Sequence, residues 1–298
     1  MRICLLQEDI IMRIFLILPL LWACTDAKDS TEDSTTDSTE DTEIVAENGM
    51  PEGVSTWEGT IEASGVLFEV SVEITNTGGN LTAEADFEDT EIGYFGPGSY
   101  SLTGTHDPES GLFAFAPDDW LELPPHATPE LVGFSGTYDP DGDVLTGFAD
   151  DFASWDDNTL NGGPAELVWV SGDGAPTTLS SDDLALPETI SFSGTHQCTG
   201  PVRELEGELT YDGSGGIEGS LTFGDPDFSD GSNTLDFTGV HNPDTGRITL
   251  IPGLYTDSSR SYLSFFVEAV HDPDAGTLNG EGRTGSGPCV AEGWNASY

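Results

Sequence analysis

Residues 101–116, SLTGTHDPESGLFAFA, decide the fold because they hold two strand-like segments joined by a turn. Polar and apolar residues alternate on both sides of the DPESG turn at 107–111, as in strands with one buried face. Proline presets the second position of a type I turn, aspartate can bind the backbone that follows it, and glycine supplies a left-handed residue. The stretch therefore predicts an antiparallel hairpin.

The same phrase recurs three times along the chain, as TYDPDG at 137–142, VHNPDTG at 240–246 and VHDPDAG at 270–276. We interpret TYDPDG as a turn that is one residue shorter than the others. His106 and His241 precede equivalent turns, whereas His271 takes the place of Tyr138. A replaceable position without a second ligand at a short fixed spacing indicates a structural histidine and not a metal ligand or a catalytic group.

Residues 53–174 and 188–298 carry the same order of signals, which indicates an internal repeat. WEGT at 57–60 corresponds to FSGT at 192–195, SLTGTHDPESG at 101–111 to DFTGVHNPDTG at 236–246, and VLTGFAD at 144–150 to TLNGEGR at 277–283. Each copy has about eight consecutive strands. We predict an all-β protein of two tandem, antiparallel up-and-down β-barrels; two packed sheets, a β-sandwich, are the alternative.

Two cysteines favour closed barrels over sandwiches. Cys198 belongs to the first strand region of the second copy and Cys289 to the last, and these strands become neighbours only when a meander closes. In an exported protein such a pair is expected to form a disulfide. We therefore predict a Cys198–Cys289 bond.

The segment MRIFLILPLLWAC at 12–24 has a positive charge, a short apolar run and a small residue before cysteine. It resembles the signal of bacterial lipoproteins, which implies that residues 1–23 are removed, that Cys24 is lipidated and that the chain is sorted to the outer membrane. Met12 is the expected start, because Glu8 and Asp9 stand where such signals carry positive charge. Ordinary signal cleavage, giving a periplasmic or secreted protein, is the alternative.

Residues 24–52 are rich in serine, threonine and acidic residues, and predict a disordered tether; residues 175–187 predict a linker between the barrels. The meander with an aromatic residue in its first strand, Trp57, is similar in architecture to avidin-like and lipocalin-like barrels. An eight-stranded barrel of this kind either holds one small ligand or is filled by its own side chains.

Charge limits the partners. Asp and Glu number 55 against 7 Lys and Arg, a net charge of −48, so nucleic acid and anionic membrane surfaces are repelled and a charged partner should be cationic. Carboxylates also follow the third strand of each copy, where calcium would find oxygen ligands: Glu88, Asp89 and Glu91 in the first, Asp225, Asp227 and Asp230 in the second. The alternative is a solvated, salt-adapted surface.

Catalytic motifs are lacking: the sequence has no Gly-x-Ser-x-Gly, no His-Glu-x-x-His and no phosphate-binding glycine loop. The sequence therefore favours a lipid-anchored envelope protein with a non-enzymatic binding or surface-structural role. An extracytoplasmic hydrolase that uses carboxylates, such as a glycosidase, is the alternative.

Calcium distinguishes a metal site from diffuse acidity. If the loop carboxylates converge, calcium should raise the melting temperature at fixed ionic strength, because it binds the folded state alone. Asp225→Asn with Asp227→Asn should abolish that shift and leave the response of the melting temperature to sodium chloride nearly unchanged. An equal rise with both salts at matched ionic strength would remove the metal site, since screening alone explains it.

Overall fold

The structure is a computed structural model that describes residues 47–63, 65–89, 95–126, 131–150, 162–172, 174–175, 177, 184–196, 202–224, 232–257, 265–284, 287–288 and 294–298. Within these ranges every regular element is a β-strand, which confirms the predicted fold class. No helix in the same ranges is long and apolar enough to span a membrane.

The first copy is a closed barrel in which each strand pairs with the next and the last pairs with the first. Its strands are β1 (Gly53–Ala63), β2 (Val66–Thr77), β3 (Asn80–Asp89), β4 (Gly98–His106), β5 (Leu112–Glu122), β6 (Gly133–Asp139), β7 (Val144–Asp150) and β8 (Gly162–Gly172). All pairs are antiparallel, and the ring closes where Glu58 of β1 lies opposite Val168 of β8. Closure removes both sheet edges, so no strand of the ring lacks a partner on either side.

The second copy closes in the same way, with eight strands in the ring and one short extra strand. Its strands are β9 (Thr189–His196), β10 (Arg203–Tyr211), β11 (Gly216–Gly224), β12 (Ser232–Asn242), β13 (Arg247–Asp257), β14 (Phe266–Asp272), β15 (Thr277–Thr284), β16 (Gly287–Pro288) and β17 (Trp294–Ser297). The ring is completed by β17, which lies between β15 and β9 and pairs with both. Cys198 and Cys289 lie outside the described residues, so their bond remains a prediction.

Glycine allows the two ends of each meander to approach. A Cβ on Gly59 of β1 would lie 1.9 Å from the carbonyl oxygen of Glu166, and a Cβ on Gly194 of β9 would lie 1.8 Å from that of Asn295. We call the line where the first and last strands of a barrel pair its seam. Only a residue without a side chain fits at these positions of either seam. The aligned glycines of WEGT and FSGT therefore have the same role in both copies.

The Asp-Pro turns form as the sequence predicts, with one exception. Gly111 has φ 79° and donates its N–H to the carbonyl of Asp107 (2.9 Å). In the TYDPDG turn at 137–142 the left-handed residue is Asp143 (φ 49°), directly after the phrase, and Gly142 is not left-handed. That turn is therefore as long as the others and not one residue shorter, because aspartate tolerates the left-handed conformation better than most residues.

The repeat begins earlier in the sequence than the strands do. Met50 precedes β1, is completely buried and joins the core of the first barrel. Leu186 precedes β9 and joins the core of the second. Both are followed by Pro-Glu, as Met-Pro-Glu at 50–52 and Leu-Pro-Glu at 186–188. The ends of the expected tether and linker are thus packed against the barrels.

The two barrels pack through equivalent outer faces. Strands β4 and β5 of the first barrel contact β12 and β13 of the second. At the centre, the hydroxyl groups of Thr105 and Thr249 are hydrogen-bonded (2.8 Å), and Ala114, Ile251 and Phe266 form a shared apolar cluster. Each barrel therefore presents the same pair of strands to the other, as in an approximately two-fold dimer.

This contact explains a departure from the expected alternation. Its alternating pattern predicts that the segment GLFAFA at 111–116 buries one face. Phe113 and Phe115 do point into the first barrel, but Ala114 and Ala116, which alternate with them, are also fully buried, against the second barrel. Both faces of β5 are covered there, so its apolar run is nearly continuous.

An ion network spans the edge of this interface. Glu268 of the second barrel, 7% exposed, accepts a hydrogen bond from Thr103 of the first and pairs with Arg247 (3.1 Å) and Arg283 (3.4 Å). Arg283 also pairs with Asp118 of the first barrel. Such a network compensates buried charges that would be costly alone.

The turn geometry gives a matched pair of substitutions. Gly111→Ala should lower the free energy of unfolding by about 1–2 kcal/mol, because a side chain in the left-handed region strains the backbone. Gly142→Ala should change it by less than about 0.5 kcal/mol, since its backbone is outside that region. Urea denaturation measures both. Equal losses in the two variants would contradict the assigned turn geometry.

Candidate functional site

The interior of the first barrel is filled by its own side chains. Trp57 is fully buried, donates its indole N–H to the hydroxyl of Ser55 (2.9 Å) and packs edge-on against Tyr138 (6.0 Å between ring centres). In the second barrel Trp294 packs against Phe192 in a similar way (5.4 Å). Of the two outcomes expected for eight strands, the described residues show the filled barrel.

His106 joins the preceding segment to the first barrel. Its Nε2 accepts a hydrogen bond from the N–H of Met50 (2.9 Å), and its Nδ1 lies 3.0 Å from the carbonyl oxygen of Leu112. Burial lowers the pKa of His106 to about 4, so the ring is neutral at pH 7. This histidine closes one end of the barrel, in agreement with the structural role expected for it.

The corresponding histidines of the second barrel are also buried. The ring of His241 packs edge-on against Tyr211 (5.4 Å) and His271 (6.0 Å). Burial, and secondarily the charge of His271, lower the pKa of His241 to about 3. His271 itself contacts the carbonyl of Leu184 (3.0 Å) and the hydroxyl of Tyr298 (2.6 Å). These contacts connect the segment before β9 and the C-terminus to the barrel end.

The predicted calcium ligands are only partly described. Glu88 is exposed on the outer face of β3, and Asp89 is the last residue of that strand. Glu91, Asp225, Asp227 and Asp230 lie outside the described residues, as does Cys24. Among the residues that the structure describes, no three His, Cys, Asp or Glu side chains lie together as a metal site would require. Calcium binding by these loops remains a prediction.

Carboxylates instead line an open groove on the outer face of β1, β2 and β3. Its volume is about 630 Å³, and its acidic lining residues are Glu58, Glu69, Asp86 and Glu88. Strand register places them together, because Glu69 lies directly opposite Glu88, and Ser71 lies between Glu58 and Asp86. We call this surface the acidic groove.

Like charges lie opposite each other in and beside the acidic groove. Glu69 faces Glu88, and Glu73 faces Glu84 next to the groove, so like charges stand directly opposite across neighbouring strands. Such pairs destabilise a sheet. The first copy contains no lysine or arginine that could neutralise them. A bound cation would therefore stabilise this face of the protein.

The groove could not be found by motif, since its four carboxylates come from three different strands and span residues 58 to 88. The available signal was alternation, which places every second residue of a strand outside the barrel. Comparison with protein-family models found no match to this chain, and comparison with curated proteins found no similar sequence. The argument for function therefore depends on this chain alone.

Buried histidines predict that acid weakens the fold. The pKa of His106 is about 4 in the folded protein and 6.5 in the unfolded chain, so the unfolded state binds more protons between these values. Stability that is present above pH 6.5 is lost as pH falls towards 4. His106→Gln retains a donor and an acceptor and should reduce the stability difference between pH 7 and pH 4.5 by about 2 kcal/mol.

Urea denaturation at the two pH values, at constant ionic strength, measures this difference. His126→Gln is the matched control, because His126 is exposed. The same reduction in both variants would show that burial of His106 is not the cause.

Proposed function

We propose that this protein is a lipid-anchored, non-enzymatic protein of the bacterial outer membrane, and that its two barrels form a binding or surface-structural unit. The observation that carries the proposal is the filling of both barrels by apolar side chains. A filled barrel has its chemistry on its outer surface, and the outer surface of the first barrel is acidic. Its partner should therefore be cationic.

The signal supports the anchor. A short apolar run ends in Ala23-Cys24, and a long acidic tether separates this cysteine from the first barrel. The tether repels itself and an anionic bilayer, which favours a folded part held away from the membrane. Residues 1–46 lie outside the described residues, so this part of the proposal depends on the sequence.

The buried carboxylates support binding over hydrolysis. Among the described residues, Asp107 and Glu268 are the buried acidic side chains. Asp107 accepts hydrogen bonds from the backbone N–H groups of Glu109 (3.3 Å) and Ser110 (3.2 Å), and Glu268 belongs to the ion network between the barrels. Both have structural roles, whereas a hydrolase needs a carboxylate that faces its substrate.

The anchor is tested in a Gram-negative host that expresses the full chain. Mass spectrometry should show a mature N-terminus at Cys24 with attached acyl chains, and the protein should fractionate with the outer membrane. Cys24→Ala should abolish acylation and release the protein, because the lipid is its attachment. Cys198→Ala is the control and should remain acylated. An unmodified N-terminus, or membrane retention of Cys24→Ala, would contradict the anchor.

A further inference from the structure

An exposed apolar strip lies on the first barrel beside the acidic groove. Its residues are Val144, Phe148, Pro164, Val168 and Val170, on the outer face of β7 and β8, and the exposed pair Thr146 and Glu166 lies between its two ends. Phe148, Val168 and Val170 are 47%, 44% and 51% exposed. In the ring, β8 is opposite the strands that contact the second barrel, so the other barrel does not cover the strip.

Strand register joins the apolar strip to the acidic groove. Val144 lies directly opposite Val168, and Val168 lies directly opposite Glu58 at the groove's edge. Continuing across the sheet, Glu58 faces Ser71 and Ser71 faces Asp86. One row of side chains therefore changes from apolar to acidic over five neighbouring strands, a distance of about 19 Å at ~4.8 Å per strand.

The second barrel shows that the fold does not need apolar residues at these positions. Thr277 and Glu281 of β15 occupy the places of Val144 and Phe148 in the aligned segments VLTGFAD and TLNGEGR. Ser297 of β17 faces Ser193 as Val168 faces Glu58. A barrel of the same architecture thus closes with polar side chains there. Stability alone does not account for the strip in the first copy.

We infer that the apolar strip and the acidic groove together dock a cationic amphipathic segment of a partner protein. The inference deepens the binding role proposed above and rests on it. Valine and phenylalanine would bury the apolar side chains of the segment, and the carboxylates would bind its lysine or arginine side chains. A second copy of this chain, or an anionic lipid surface, would bring like charges together and is disfavoured.

The segment's size follows from the surface. The row from β7 to β3 follows the curved outside of the closed ring, so a segment that contacts both of its ends must be extended. About six residues span ~19 Å at ~3.3 Å per residue. Such a segment needs apolar side chains at one end and basic side chains at the other. A fluorescent six-residue peptide with leucines in one half and lysines in the other is the probe, and a peptide with serine in place of leucine has the same charge.

Fluorescence anisotropy at 50 and 150 mM sodium chloride tests the docking, using the mature chain with Cys24→Ala to keep it in solution. Val168→Ser with Val170→Ser should weaken binding about tenfold and leave the dependence of binding on salt concentration unchanged, because only apolar contacts are lost. Glu58→Gln with Glu69→Gln should also weaken binding, and the affinity should then differ less between the two salt concentrations, because fewer charges take part in binding. The serine peptide should bind the unsubstituted surface at least about tenfold more weakly than the leucine peptide.

Matched controls come from the second barrel. Val270→Ser removes a valine that is 51% exposed there, and Glu206→Gln with Glu208→Gln removes two exposed carboxylates of β10. Both should leave affinity within about twofold. The inference would be overturned if these controls lost as much affinity as the variants of the first barrel, or if the serine peptide bound as tightly as the leucine peptide. Binding only to anionic vesicles or to a second copy would also overturn it. If no peptide binds while Cys24 is acylated and the protein is in the outer membrane, the docking inference fails and the envelope anchor stands.

Discussion

Closure of each barrel by backbone hydrogen bonds between its first and last strands is the constraint on which the other features depend. In the first barrel this seam joins β1 to β8, and Gly59 lets the two backbones approach. A closed ring has an inside and an outside, so every second side chain is removed from water. Those side chains, among them Trp57 and Phe113, fill the interior. Binding chemistry is therefore limited to the outer surface and the barrel ends.

The outer surface has different surroundings on its different sides. On β4 and β5 it is covered by the second barrel, with small residues such as Ala114 at the contact and Glu268 neutralised by Arg247 and Arg283. These arginines belong to the second copy, whereas the first has no lysine or arginine. Among the described residues, Arg283 pairs with Asp118 of the first barrel at this interface, whereas β8 lies across the ring from it.

Comparison of the two copies separates what the fold requires from what it does not. Three features are present in both copies: the seam glycines, the Asn or Asp before the turn proline, and the buried histidine before that Asn or Asp. Each of them has a structural contact that explains it. Val168 and Phe148 have polar counterparts in the second barrel. Duplication therefore gives this protein an internal reference, in which a difference at equivalent exposed positions points to function and not to folding.

The sequence by itself determined the strands, most of the turns and the repeat, because alternation and turn chemistry are local and the copies report the same pattern twice. It favoured closed barrels over packed sheets only through the positions of Cys198 and Cys289, and the structure confirms closure. It misassigned the turn at Asp143, where a tolerated left-handed aspartate replaced glycine. Only the tertiary structure decided that GLFAFA is covered on both faces and that Glu69 stands opposite Glu88. Alternation tells which side chains point outward, but their neighbours depend on register between strands and on how one barrel packs against the other. Both are contacts between residues distant in sequence, and no local pattern encodes them.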